Sequence, residues 1–330
     1  MATIYEVASL AGVSPATVSR VFNGAPVSPA YREKVEKAAL ALDFTPSRAA
    51  RNLRRRTSDV IALVIPDIEN PFFTSLARGV EDVAQAAGYS VVLCNSDEQQ
   101  AKQERYLDIA LSENMAGILL APAHGDSRLD AVLARRTPLV TVDRSIPSAR
   151  TDSVLADNLA GGRAGTELLF DSGHRRVACI TGPPDVQTSQ LRRDGWAEVV
   201  RARAPELDPT SYVAYADYRV EGGAAAVQAL LDGPGAPRPA PDAFFVANNL
   251  MAVGAYEALV TRGTAPPELA LAVFGDLPFG SLRRDGVHVL PLPARRLGTT
   301  AAELLMDRIR GADGPPREVV LSNDDDTGRP

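Results

Sequence analysis

The chain is short of the residues on which most catalytic and metal chemistry depends. Its 330 residues include two cysteines and three histidines. Cys94 and Cys179 stand alone in apolar, strand-like runs, which reads as buried reduced thiols, and no further ligands cluster beside them to make a zinc site. His124, His174 and His288 fall in turns or at strand ends, with neither an HxH nor an HExxH spacing. Gly173-His174-Arg175-Arg176 is more simply a helix-ending turn before a strand. No glycine fingerprint of the dinucleotide or phosphate-loop kind follows any strand-like run, so nucleotide binding has no motif behind it. No apolar run reaches membrane-spanning length, and the first residues read as a helix cap rather than a charged lead into an apolar stretch. The expectation is a soluble, cytoplasmic chain that is not an enzyme and uses no cofactor, metal or membrane.

What is present starts at the amino terminus. Thr3 followed by Glu6 is a capping box that predicts a helix from Ile4, with Ile4, Val7, Ala8 and Ala11 at helical spacing and Gly12 as the turn. Ser14 then caps a second helix with Pro15 at its first position, where the missing N–H is no loss. On that helix Val18, Val21 and Phe22 form a packing face. Pro15, Ala16, Ser19, Arg20 and Asn23 form the opposite one, small and polar around a single arginine that can reach guanine in a major groove. Ser28-Pro29 opens a third helix whose Val35, Ala38, Ala39 and Leu42 face inward. Caps and a polar face alone fit any small helical bundle, so charge has to decide. Residues 1–58 hold nine basic and four acidic side chains, a net of +5, while the whole chain carries −6 and residues 59–330 therefore −11. A basic head on an acidic body is the asymmetry of a chain that meets phosphate at one end only.

Residues 3–24 resemble the lactose-repressor (LacI/GalR) family of bacterial transcription regulators. The likeness continues through 44–54, Ile65-Pro66-Asp67-Ile68-Glu69-Asn70-Pro71-Phe72-Phe73, Cys94-Asn95-Ser96-Asp97, Val142-Asp143-Arg144, Gly173-His174-Arg175-Arg176 and Ala247-Asn248-Asn249-Leu250-Met251-Ala252. Several motifs in one order are far more specific than any single one. The resemblance implies a helix-turn-helix head over residues 1–45, a hinge helix and linker over 46–58, and an effector-binding, dimerising body over 59–330. It implies DNA contacts from Thr3, Tyr5, Pro15, Ala16, Thr17, Ser19, Arg20 and Asn23, and from Arg48, Arg51, Leu53 and Arg54 in the hinge. A helix of about two turns is marginal alone, so the hinge is expected to order on DNA. Leu53 is then the apolar wedge that unstacks a central C-G step in the minor groove. The competing reading is a basic linker whose Leu53 packs on the body.

Within the body, strand-like runs at 60–65, 90–94, 117–120 and 139–142 alternate with helices near 71–87, 99–113 and 127–135. The alternation restarts with helices at 159–171, 189–203, 219–231 and 250–262 and strands at 177–181, 244–247 and 269–274. Such alternation predicts an α/β fold of two doubly wound parallel lobes. By resemblance these are like periplasmic binding proteins, with crossings near Asp157, Pro291 and Glu318. That makes a first lobe of 59–158 and 291–317 and a second of 159–290 and 318–330. Ligands of such folds bind between lobes at the carboxyl ends of strands.

Family positions place the effector against Phe72, Phe73, Asp143, Arg144, Thr188, Arg192, Tyr218 and Asn248, with Arg192 foremost because its fork grips hydroxyls or a carboxylate. Phe72 and Phe73 are equally suited to the core, Asp143 and Arg144 to a mutual or interlobe ion pair, and Trp196 to packing. Two departures from the family pattern remove negative charge: Gly275 stands where an aspartate is common, and Asn249 replaces another. The effector is expected to be a sugar or sugar derivative, with an anionic non-sugar effector, or none, as the alternative. The reading as a whole is a repressor, homodimeric, on palindromic double-stranded operator DNA. A solute-binding protein is the rival for the body, but it would carry a secretion signal in place of residues 1–58.

Overall fold

The computed structural model describes residues 2–22, 25–44, 58–123, 129–146, 150–277 and 285–323. Asn23, Arg48, Arg51, Leu53 and Arg54, and with them the expected hinge helix, lie outside the described residues, as do His124 and the acidic end at 324–326. Contacts divide the chain into two compact units, Met1–Ser58 and Asp59–Pro330.

In the first unit, α1 (Ile4–Ala11) begins with the expected capping box. The Thr3 hydroxyl accepts from the Glu6 N–H, and the Glu6 carboxylate accepts from the Thr3 N–H at 2.7 Å. Gly12, at φ +63°, turns the chain where a side chain would be strained. The Ser14 hydroxyl accepts from the Thr17 N–H at the start of α2 (Pro15–Phe22), and Ser28 caps α3 (Pro29–Ala41). Val7, Ala8, Ala11, Val18, Val21, Val35, Ala38 and Ala39 close a small core between the three helices.

The second unit carries two parallel sheets. The first contains β1 (Val60–Ile65), β2 (Ser90–Asn95), β3 (Gly117–Leu120), β4 (Leu139–Val142), β5 (Asp152–Ala156) and β11 (Glu318–Leu321), in the order β11-β5-β4-β3-β1-β2. The second contains β6 (Val177–Thr181), β7 (Val213–Tyr215), β8 (Ala243–Val246), β9 (Ala270–Phe274) and β10 (Val287–Leu290), in the order β10-β9-β8-β6-β7. Inner strands such as β1, β3, β4, β6, β8 and β9 are near-continuous runs of buried apolar residues, as sheets covered on both faces require. The covering helices are α4 (Pro71–Ala86), α5 (Gln100–Ser112), α6 (Asp130–Ala134), α7 (Asn158–Asp171), α8 (Gln187–Arg203), α9 (Val220–Asp232), α10 (Asn249–Arg262) and α11 (Ala294–Ile309).

Three helix pairs cross so closely that each needs glycine on both sides. A Cβ on Gly79 or Gly298 would run into the Arg295 or Leu76 carbonyl where α4 meets α11. Gly162 and Gly195 likewise face the Arg192 and Leu159 carbonyls where α7 meets α8, and Gly223 and Gly254 those of Met251 and Val220 where α9 meets α10. Backbones at this separation leave no room for rearrangement, so each lobe is a stiff body.

One expected boundary is corrected. The sequence reading places residues 318–330 in the second lobe, yet Glu318–Leu321 pairs in parallel with Asp152–Ala156 in the first sheet. The chain passes to the second lobe after β5 and returns after β10, and the last strand stays on the first sheet because an anchor beside it holds it there. Asp152, whose carboxylate is fully buried, takes bonds from Arg308 Nη2 at 2.8 Å, Arg308 Nε at 2.9 Å and the Arg317 N–H at 2.8 Å.

Burial pushes the Asp152 carboxyl up, but the hydrogen bonds from Arg308 and Arg317 outweigh it and hold the group below the usual carboxylate range. A depressed folded pKa stabilises the fold above the unfolded carboxylate value, and that contribution disappears as pH falls through the folded one. Asp152→Asn is expected to cost about 2–3 kcal/mol near neutrality, less than a fully buried pair because the arginines keep some solvent. In urea titrations at a series of pH values, the gap between variant and parent should close on acidification.

Candidate functional site: an interlobe cleft and a helix-turn-helix head

Residues that follow the carboxyl ends of β1, β2, β4, β7, β8 and β9 line one cleft between the lobes, with about 610 Å³ of empty space including its mouth. The first lobe contributes Phe72, Phe73, Asp143 and Arg144, and the second Thr188, Arg192, Tyr218 and Asn248, so the eight expected ligand residues line the one cleft from both sides. Asn70 caps α4 by accepting from the Phe72 N–H at 3.0 Å, which sets the two phenyl rings edge to face, 5.0 Å apart. Phe73 is buried in the core as well as lining the cleft, so both readings of this pair apply. Trp196 packs instead: it is 1% exposed and its indole N–H donates to the Val177 carbonyl.

Several cleft residues hold backbone conformations that L side chains rarely adopt. Asp143 has φ +68°, Tyr218 +65°, Asp97 +56° and Glu98 +54°, while Gly275 at +122° takes a φ that suits glycine best. Each non-glycine case costs on the order of 1 kcal/mol and persists because its side chain is tied down. The Tyr218 hydroxyl is hydrogen-bonded to Thr188 at 3.0 Å and to Ser189 at 2.6 Å. Asn248 caps α10 by accepting from the Met251 N–H.

The two arginines differ in what they have left to offer. Arg144 Nη1 and Nη2 donate to the two Glu98 carboxylate oxygens at 2.9 and 2.7 Å, and Nη1 also donates to the Pro122 carbonyl. Its Nε lies 3.5 Å from Asp143, so the expected mutual ion pair is present alongside the cleft position. Burial works against the Arg144 charge, but the adjoining Glu98 carboxylate outweighs it and holds the proton more firmly than usual. Arg192 donates from Nε to Asn158 and from Nη1 to the Ala247 carbonyl, and its guanidinium lies 4.9 Å over the Phe274 ring. Among the described residues no carboxylate comes within ion-pair distance of it, and burial pulls its pKa down. Burial likewise raises the Asp143 carboxyl, partly offset by Arg144 and Arg192.

The lobes are also stitched together across the cleft. Asn249 Nδ2 donates to Asn70 Oδ1 at 3.1 Å, the Ser145 N–H donates to Gln187 at 2.9 Å, and Arg219 pairs with Asp97. Sequence reasoning misses Glu98 and Arg219. Glu98 follows directly on the recognised 94–97 motif, but no spacing rule signals a side chain turned inward by a left-handed backbone.

In the separate head, Arg20, Pro15 and Ala16 are exposed on α2, and Tyr5 is 71% exposed on α1. Ser19 and Thr17 are half-buried on the same helix, with the Thr17 hydroxyl hydrogen-bonded to Ser14. The Thr3 hydroxyl is committed to Glu6.

A helix-turn-helix head and a two-lobed body closed over a polar cleft are together the parts of a bacterial DNA-binding regulator. The chain belongs to the lacI family of bacterial regulatory proteins, whose model matches residues 3–47, while residues 61–280 match a periplasmic binding protein domain. It is 35% identical to the ribose operon repressor of Escherichia coli K12 over 313 residues, which covers 94% of this chain and 93% of that protein. It is 34% identical to the HTH-type transcriptional regulator CelR of Thermobifida fusca, over 97% of this chain and 95% of that one. Among solved structures, the lac repressor dimer bound to operator and the anti-inducer ONPF superimposes with a TM-score of 0.83 at 26% identity, covering 97% of this chain and 96% of that one. The complex of the transcriptional regulator CelR with cellobiose gives 0.72 at 32% identity, covering 98% and 97%.

The Asn70–Asn249 bond predicts its own disruption. Asn70 Oδ1 already accepts from the Phe72 N–H, so the isosteric Asn249→Asp would set acceptor against acceptor. The variant should lose about 1–3 kcal/mol of interlobe attraction. Its solution radius of gyration, measured by small-angle scattering without ligand, should exceed that of the parent.

Proposed function

We propose that the protein is a transcriptional repressor that grips a palindromic operator as a two-fold dimer and answers to a neutral sugar or sugar derivative in the interlobe cleft. The observation that carries the effector reading is Arg192, a buried guanidinium with an edge toward the cleft and no contacting carboxylate among the described residues. Around it stand what a polyol needs: Asp143 as acceptor, Asn248 as an amide, and the Phe72 face for the apolar side of a ring.

Charge speaks for a neutral ligand over the anionic alternative. The loss of acid at 249 and 275 does not leave the wall positive, because Arg144, Arg192 and Arg219 are met by Asp67, Glu98, Asp143 and Asp217. The names of the relatives, ribose operon repressor and CelR, and a solved CelR–cellobiose complex, point toward sugars without choosing one.

Repression follows from coupling. Two heads held at the right separation read two half-sites, so a small change of lobe angle that alters their separation becomes a large change of operator affinity. Ligand-driven release is the commoner sign in this family and is the one proposed here.

Calorimetry with a panel of neutral sugars, ribose and cellobiose included, should find one that binds, with Arg192→Ala weakening it at least about tenfold. Neutral-sugar binding that survives Arg192→Ala unchanged would remove the arginine from the site. In gel-shift titrations on a palindromic probe, Arg20→Ala should cost about 1–3 kcal/mol. Leu53→Ala should also weaken binding, and affinity should fall steeply with salt. Equal binding to random DNA would sink the repressor reading.

A further inference from the structure

We infer that Glu98 is a specificity-determining residue, one that occupies the hydrogen-bonding edge of Arg144 and so turns the effector cleft away from anionic ligands. The inference rests on the reading of this cleft as the effector site and adds to it the class of ligand that is refused.

The argument begins with the donors of Arg144. A guanidinium recognises phosphate or carboxylate by presenting two parallel N–H groups. Here that fork is already filled, because Nη1 and Nη2 reach the two oxygens of Glu98 in the bidentate arrangement an anionic ligand would need. The Pro122 carbonyl takes a further Nη1 bond, and Asp143 stands 3.5 Å from Nε. What remains is Nε, buried without a hydrogen-bond partner and faced by the Asp143 carboxylate, and the face of the guanidinium, which lies 5.8 Å from the centre of the Tyr218 ring.

Glu98 is placed for this role by the backbone. Asp97 and Glu98 both adopt left-handed conformations, at φ +56° and +54°, which bend the loop after β2 inward. Both strained residues are anchored by their side chains, Asp97 to Arg219 across the cleft and Glu98 to Arg144. The Glu98 side chain retains 24% of its exposure and lines the cleft wall, so its charge faces any entering ligand. An anion approaching Arg192 would therefore meet Glu98 and Asp143, with the Nη1–Nη2 edge of Arg144 taken by the first and its Nε faced by the second.

Inorganic phosphate is the probe, titrated calorimetrically into the full-length protein, because it needs no knowledge of the natural effector. The parent should show no saturation in the millimolar range. Glu98→Gln keeps the shape and one acceptor, removes the charge, and brings an amide donor beside Arg144. It should bind phosphate at least about tenfold more tightly than the parent. Adding Arg144→Gln should abolish the gain, which separates the cleft from the basic head. Glu98→Ala should gain in the same sense, and thermal unfolding of each variant verifies that it is folded.

Saturable phosphate binding by the parent at the variants' strength would overturn the inference. So would folded Glu98 variants with no gain, or a gain that persists without Arg144. Should no neutral sugar bind the parent, the sugar reading fails while the phosphate comparison still decides the role of Glu98.

Discussion

The constraint on which the rest depends is backbone contact between paired helices. At the α7–α8 crossing, Gly162 faces the carbonyl of Arg192 itself, and Gly195 faces that of Leu159. This contact, more than any property of the arginine, carries Arg192 to within 2.8 Å of Asn158 at the start of α7. Asn158 in turn donates to the Ala156 carbonyl at the end of β5, so the arginine is referenced to the strand from which the chain leaves the first lobe. The other two crossings do the same for α4 with α11 and α9 with α10, so each lobe is tied together by backbone contact.

Between the lobes the attraction is polar and modest: a pair of amides, a glutamine on a serine, one exposed ion pair and an arginine over a tyrosine ring. Bonds of this kind are each worth little net, because water competes for both partners. On the proposed reading, a cleft held by such contacts is easily biased by a ligand whose hydroxyls add a few more. The strained backbone at Asp97, Glu98, Asp143 and Tyr218 belongs to the same design, since these residues present their side chains inward from both lobes.

Much of this was legible in the residues. Capping chemistry located the three head helices, and inner strands announced themselves as unbroken apolar runs. The strands that escaped notice, Asp152–Ala156, Val213–Tyr215, Val287–Leu290 and Glu318–Leu321, are short, and three of them lie at sheet edges, half exposed. Edge strands lack the uninterrupted hydrophobic signal, and β5 is masked by its buried Asp152 and Ser153. Residues 318–321 are illegible for a related reason, because a pairing between strands more than 160 residues apart leaves no local pattern. In the cleft, motif positions supplied the eight wall residues. What motifs did not supply was which arginine is already occupied, for that depends on a left-handed turn at Glu98.

The placement of the last strand bears on how the body is made. The first lobe is assembled from both ends of the body, with Ala294–Ile309 packed on Pro71–Ala86 and Glu318–Leu321 completing the sheet beside Asp152–Ala156. During synthesis the polypeptide emerges in order, so the second lobe is fully translated while its neighbour still lacks a covering helix and an edge. Until the ribosome releases the carboxyl-terminal stretch, the β5 edge and the apolar face of α4 stay open to water, a period in which chaperones have most to protect.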